Sequence, residues 1–372
     1  MRTLVISDLH LGSSSGCDLL RRAELRAPLI EALEGIDRLV ILGDVLELRE
    51  VPVRRAADHA EEALQDIGNA LGPDGELVLV GGNHDHGLVA PWLDARLYDP
   101  DGSPGLGLEQ RFTPAEAGPL AQRLAEAAGP VRTIMAYPGI HLRPDVYAIH
   151  GHYSDLHTTV PTFERLAAGA MNRFAARVPD AGATPDDYEA VLAPLYAWML
   201  AHAQRDEKAI ISAGAGFSAR AWETLTKRDG RTNFVKYAGL SAAYVAAIAL
   251  VNQIGLGPIR GDLSGKALRQ GGLHGMREAI RRLGIDVPHV IWGHSHRAGP
   301  FPDDDRSEWT TPQGTRLHNT GSWTYQRHFL SGGPNESPYW PGTAIVVGPE
   351  GPPVLRRLLG DRGHAQLAPP PA

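Results

Sequence analysis

An α/β fold is what this sequence predicts, and two observations carry the prediction. Short apolar, β-branched runs alternate with helix-length stretches over the first 85 residues. Five such runs along the chain are each followed at once by a cluster of Asp, His or Asn. Open sheets present ligand-binding residues just beyond the carboxyl ends of their strands, so these clusters are expected to converge on one rim.

The elements follow in order. Strands are expected at Leu4–Ile6, Leu39–Leu42 and Leu77–Val80, with helices at Arg21–Leu33 and Val53–Leu71 between them. Residues 92–130 are rich in Gly, Pro and Ala, with one helix expected at Pro114–Ala128. Val131 to His150 reads as two strands joined through Pro138-Gly139 and Pro144. Leu156 to Gly275 turns helical and alanine-rich; Gly272–Gly284 reads as a helix feeding a strand at Val290–Trp292, and Thr343–Val347 as a late strand. The organisation expected is a core in two parts, 1–155 and 276–360, a helical cap inserted at 156–275, and a disordered tail at 361–372.

The clusters read Asp8-Leu-His10, Gly43-Asp44, Gly82-Asn83-His84-Asp85, His150-Gly-His152 and Gly293-His294-Ser-His296. Asp8, His10, Asp44, Asn83, His150, His294 and His296 make seven candidate metal ligands, too many for one tetrahedral zinc. If one carboxylate lies between two ions, each ion has four protein ligands. Asp44 suits that role, having two oxygens and standing between the others in chain order. Imidazole and oxygen donors without thiolate favour manganese, iron or zinc over magnesium or calcium. Two such ions about 3.5–4 Å apart clamp the attacking and leaving oxygens of an in-line displacement at phosphorus.

The order D-x-H, G-D, G-N-H-D, H, G-H-x-H resembles the calcineurin-like metallophosphoesterase superfamily at every position. That resemblance implies a β-sandwich flanked by helices and two divalent ions, for which the donor set puts manganese first and iron or zinc next. It implies that Asp8, His10, Asp44 and His296 hold one ion and Asp44, Asn83, His150 and His294 the other. It makes His84 the proton donor to the leaving oxygen, or a stabiliser of its charge, with Glu47 hydrogen-bonded to it. Within the superfamily, Ser7–Gly12, Gly43–Glu47 and Asn319–Trp323 resemble the branch containing UDP-2,3-diacylglucosamine pyrophosphohydrolase. The chain departs from that enzyme at His84, an arginine there, and at His152, an aspartate there.

Other polar residues have plainer readings. His86, His152 and His157 are expected mainly as satisfied polar residues with a lesser claim on metal or substrate; Arg49 is expected first as a solvated arginine and second as a phosphate contact. The single cysteine, Cys17, excludes internal disulfides and is compatible with a reducing compartment. With strand residues beginning at Arg2, no cleavable leader is expected, and the location expected is cytoplasmic. A net charge of −7 argues against nucleic acid as a partner.

The insert differs from the rest of the chain in charge. Residues 156–275 carry +3 and the remainder −10, so the insert suits an anionic substrate or surface. Within it, Tyr237–Ile259 runs 23 residues without a charged side chain. Its glycines, alanines, Asn252, Gln253 and Pro258 make it a marginal membrane span. A buried helix of a lid is the first reading, a lid dipping into a membrane interface the second, and a transmembrane span the last. The function expected is hydrolysis of a phosphate ester or pyrophosphate, in a phosphorylated small molecule or an amphiphilic, lipid-linked substrate. The rivals are a phosphodiesterase or phosphatase acting on a soluble nucleotide or phosphoprotein, and a binding scaffold that has lost catalysis.

Overall fold

The structure is a computed structural model and describes residues 1–205, 248–262, 264–330, 332–334 and 336–369. Among the described residues, nine strands form one hydrogen-bonded path in the order β10-β9-β1-β2-β3-β5-β6-β7-β8, and a tenth, β4, pairs with β5 off that path. They are β1 Thr3–Ile6, β2 Arg38–Leu42, β3 Glu76–Val80, β4 Glu109–Phe112, β5 Arg132–Arg143, β6 Val146–Ile149, β7 His289–Trp292, β8 Arg316–Asn319, β9 Thr343–Val347 and β10 Val354–Arg357.

The path doubles back at β5. Residues 132–136 of this strand pair in parallel with β3, while residues 139–143 pair antiparallel with β6. One strand therefore serves two sheets, and the period-2 alternation of side chains shows how they stack. Leu4, Ile6, Leu39, Ile41, Leu77 and Leu79 face one core, which they share with helix residues Leu29, Ala60, Leu64 and Ile67. Val5, Val40, Leu42, Val78 and Val80 face the other way and pack with Ile140, Val146, Ala148 and Ile291 of the second sheet. That second core is the interior of the expected sandwich, with helices on the outer face of the first sheet.

The covering helices follow their sequences. α1 spans Ala23–Ala32 and α2 spans Val53–Leu71. α2 buries Ala56, Ala60, Ala63, Leu64 and Ile67, a stripe at helical spacing, and ends at Gly72 with φ of 67°.

Four local expectations are corrected. Pro138 lies within β5, not at a turn between two strands, because its missing N–H falls where the strand changes partners. The helix expected at Pro114–Ala128 is two, α4 Pro114–Ala117 and α5 Pro119–Ala127, broken at Gly118 with φ of 118°. The Gly/Pro-rich stretch before it also holds α3, Ala90–Leu97, and strand β4. Residues 361–369 are not a disordered tail: a short helix at His364–Leu367 buries Leu367, and Arg22 donates to the carbonyls of Leu367 (2.8 Å) and Ala368 (3.0 Å).

Two compact units divide the chain. The first contains residues 1–152, 196–205 and 286–369, and so the sheets described above. The second contains residues 153–195 and, among those described, 248–285. It is helical, with α6 at Phe163–Phe174, the larger part of α7 (Pro185–Ala203) and α8 at Gly265–Leu283. α8 begins seven residues before the expected Gly272, capped by the Ser264 side chain, and ends at Gly284 in the left-handed conformation. Much of the uncharged Tyr237–Ile259 stretch, residues 237–247, lies outside the described residues. Among those described, no helix is long and apolar enough to cross a membrane.

Candidate metal centre

Every expected ligand comes from a loop that leaves the carboxyl end of a strand. β1 delivers Asp8 and His10, β2 Asp44, β3 Asn83, β6 His150, and β7 His294 and His296. Asp8, His10, Asp44, His294 and His296 have φ between 46° and 64°, and no other non-glycine residue among those described has positive φ. A non-glycine residue in that region costs on the order of 1–3 kcal/mol and persists only when its surroundings enforce it. Among the described residues, strain of this kind is thus confined to candidate ligands.

The turns that carry them need glycine. Gly43 has φ of 85°, and the His150 ring stands where its Cβ would be. At Gly82 a Cβ would overlap the Asp44 carboxylate. Both glycines let neighbouring strand ends approach closely enough for their side chains to share one site.

The donors fall into two groups around Asp44. Asp8 Oδ1 lies 3.3 Å from His296 Nε2, which lies 3.1 Å from His10 Nε2. Asn83 Oδ1 lies 3.0 Å from His150 Nε2 and 3.1 Å from His294 Nδ1. Asp44 Oδ2 is 3.6 Å from His10 Nε2 and 3.3 Å from His150 Nε2, so one oxygen faces both groups. Its other oxygen accepts the backbone N–H of His84 at 2.8 Å.

Glu47 and His84 stand beside the first group. Glu47 Oε2 is 2.7 Å from His84 Nδ1 and 3.0 Å from His10 Nδ1, so this carboxylate orients two imidazoles. His84 is the more open member, with a quarter of its side chain exposed. His10, Asp44 and His84 also lie close enough together to hold an ion among themselves.

A supporting layer went unread in the sequence. The Asp85 carboxylate accepts from the backbone N–H groups of Val45 (2.6 Å), Gly82 (2.7 Å) and Asp44 (3.3 Å), which ties the second and third ligand loops together. Burial pushes the Asp85 pKa up to about 6, and those N–H donors oppose the rise. Ser7 Oγ bonds Asp8 Oδ2, and also Thr320 Oγ1 at 2.5 Å. Asn319 Nδ2 donates to Gly293 O (2.8 Å) and Ser295 Oγ (3.0 Å), pinning the turn that carries His294 and His296. The signal available was the run Asn319–Trp323, whose small polar side chains fit between loops.

Arg49 is buried, not solvated as expected. Its Nε donates to the Asn83 carbonyl at 3.1 Å, its Nη1 is 3.4 Å from His84 Nε2, and its guanidinium lies 5.3 Å from the Tyr196 ring centre. Tyr196 also stands 5.4 Å from His86 and 5.7 Å from His152 between ring centres. Burial first, then the neighbouring His150, holds the His152 pKa well below the usual histidine range, so this ring is neutral. Neither His86 nor His152 joins a metal-holding group among the described residues. His157 belongs to the second unit, where its Nε2 is 2.8 Å from the Tyr188 hydroxyl.

Three features of the first-unit cluster fit divalent cations. Atoms bound to one ion at about 2.0–2.2 Å stand about 3–3.5 Å apart, and the spacings above of 3.0–3.3 Å match. Asp8 Oδ1 is buried and accepts no hydrogen bond, a costly state for a carboxylate oxygen without a cation. The Asn83 oxygen faces imidazole nitrogens and Asp44, all acceptors, unless the amide turns over to meet Arg49 at 2.9 Å. Electrostatics agree. Burial opposes ionisation of Asp8 and Asp44, yet His296 and His150 respectively hold their pKa values below the carboxylate range. Burial alone would lower His10 and His150, but the carboxylates Glu47 and Asp44 raise them to about 9 and about 10. The cluster thus concentrates negative charge that must be matched by bound cations or protons.

Residues 1–193 match the model of the calcineurin-like phosphoesterase family. Among solved structures, a dimetal phosphatase from Danio rerio is similar at 11% identity over 93% of this chain and 95% of that one, with a TM-score of 0.31. No curated protein matches the chain. The family match covers the first four ligand loops and their strands; His294 and His296 lie beyond it, held to the same cluster by the contacts above. A family match over more than half of the sequence shows that the chain belongs to the calcineurin-like phosphoesterase family and is a metal-dependent phosphoesterase.

Proposed function

We propose that the cluster is a dinuclear centre that hydrolyses a phosphate ester or pyrophosphate in an amphiphilic substrate. In this reading Asp8, His10, Asp44 and His296 hold one divalent cation, and Asp44, Asn83, His150 and His294 a second, with manganese favoured by the N/O donor set. The observation that carries it is Asp44 Oδ2, placed between His10 and His150 at 3.6 and 3.3 Å. When bound, such a pair of cations supplies a strong nucleophile at neutral pH and neutralises charge on the phosphoryl oxygens.

The chain's own groups do the rest. Glu47 accepts from His84 Nδ1 and fixes its ring, leaving Nε2 to serve the departing oxygen as acid or charge stabiliser. Arg49, held by the Asn83 carbonyl and by Tyr196, brings a fixed positive charge beside His84 for a non-bridging oxygen. Support for an amphiphile comes from the second unit, which exposes Phe174, Leu250 and Ile254, and from the branch resemblance of Ser7–Gly12 and Asn319–Trp323. A peripheral position at the inner face of a membrane belongs to the same proposal.

Purified enzyme with added manganese, assayed on a nitrophenyl phosphodiester, a nitrophenyl monoester and a lipid-linked pyrophosphate, tests this reading. Preferred turnover of the lipid-linked compound and co-sedimentation with anionic liposomes support it. Preference for soluble esters, with no liposome binding, favours the soluble nucleotide or phosphoprotein alternative.

A further inference from the structure

The second unit contains a cavity of about 350 Å³ that the phosphoesterase site does not use. Arg165 lines it. This residue sits in the first turn of α6, behind the Thr162 N-cap, and is only 3% exposed. Its Nε donates to the Thr158 carbonyl at 2.8 Å, and no carboxylate among the described residues forms an ion pair with it. Asp155 contributes a field but no bond, and burial presses the Arg165 pKa below the ordinary arginine value. The two terminal nitrogens of the guanidinium have no acceptor among the described residues, and the side chain lines the cavity. A buried charge in that state is costly unless something completes it.

The other walls show what would complete it. Arg282, also on the wall, is already matched by Glu278 (2.7 Å) and Asp180 (2.9 Å). Arg177 is exposed and has no acidic partner among the described residues. Two cations thus remain uncompensated, one buried and one at the mouth. Leu156, Val178, Leu256 and Pro258 supply apolar wall beside them. A guanidinium presents paired N–H groups that match the oxygens of a phosphate group. The volume exceeds what a single phosphate fills and leaves room for a small organic portion against the apolar wall.

We propose that this cavity is a second phosphate-binding site, in which Arg165 holds the phosphate group and Arg177 guards the entrance. Its ligand is either free phosphate, the product of a phosphomonoesterase reaction, or a small phosphorylated metabolite. The site lies wholly within the second unit and takes nothing from the residues of the metal centre.

Equilibrium dialysis of radiolabelled inorganic phosphate against the metal-loaded enzyme tests the proposal. Two classes of site are expected in the wild type. Arg165→Gln should weaken one class at least tenfold and leave hydrolysis of a small phosphodiester unchanged. Arg177→Gln should weaken the same class three- to tenfold; because this residue is exposed, the variant decides the matter should Arg165→Gln fail to fold. A single class of site in the wild type, or two classes surviving unchanged in the folded variants, overturns the proposal. Competition separates the sources: glycerol 3-phosphate displacing phosphate more strongly than phosphate itself points to a metabolite, and equal displacement to free phosphate. Equal displacement by acetate would overturn a site specific for phosphate.

Discussion

The carboxylate of Asp85 accepts the backbone N–H of Val45 at 2.6 Å, and this bond fixes the loop that presents Asp44. Asp85 touches neither candidate ion position, yet it also takes the N–H of Gly82, just before Asn83. Replacing it with alanine takes the acceptor from four backbone N–H groups, those of Asp44, Val45, Leu46 and Gly82; the two short bonds, to Val45 and Gly82, alone cost about 2–6 kcal/mol when left unmade. Asp85→Ala is expected to lose metal as well as stability, with elemental analysis finding well under the wild-type content after dialysis. Metal content unchanged in a destabilised protein would reduce Asp85 to a structural residue.

Asp44→Asn should lower activity more than substitution of any ligand that faces one group only, because Asp44 Oδ2 faces both. Steady-state rates on one phosphodiester, for Asp44→Asn beside His10→Ala, Asn83→Ala and His296→Ala, check the ranking.

His84→Ala should retain near-normal metal while turnover falls by a factor on the order of 10² or more, the usual cost of losing a general acid. Loss of an ion in this variant would instead assign His84 to the third group, with His10 and Asp44, as a ligand.

Stability should depend on pH through His157. Burial holds its pKa down to about 3, against 6.5 for an unperturbed histidine. The unfolded chain takes up a proton below pH 6.5 and the folded one does not, so the folded state is favoured fully above that pH. The contribution is lost as pH falls from 6.5 toward 3, at up to about 1.4 kcal/mol per pH unit. Denaturant titrations at pH 7, 6 and 5 should show a shallower decline in His157→Gln than in wild type, since glutamine can keep a bond to the Tyr188 hydroxyl but cannot titrate. Parallel declines would assign the acid sensitivity elsewhere.

The ligands were legible in the sequence because each follows a strand whose apolar run is visible, and the strand end fixes the rim on which they meet. The supporting residues were hidden for an equally physical reason. Asp85 works through backbone N–H groups, which leave no mark on the partner's identity. Arg49 reads as a surface arginine because its burial comes from Tyr196, 147 positions further along the chain. Tyr196 lies inside the stretch 156–275 expected as the cap, yet residues 196–205 belong to the first unit. Removing 156–275 whole would therefore strip the ring from beside Arg49, His86 and His152. The doubling of the sheet at β5 was invisible too, since Pro138 signals a break in a strand but not a change of partner.

In the proposed centre this one cluster binds two divalent cations through a shared Asp44. Chelator-stripped protein titrated with manganese, followed by calorimetry and by phosphodiester hydrolysis in the same samples, tests it most directly. Two equivalents are expected to bind per chain in wild type, with hydrolysis returning with the second, and binding of both is expected to weaken in Asp44→Asn. A single equivalent, or full hydrolysis by stripped protein in excess chelator, would contradict it.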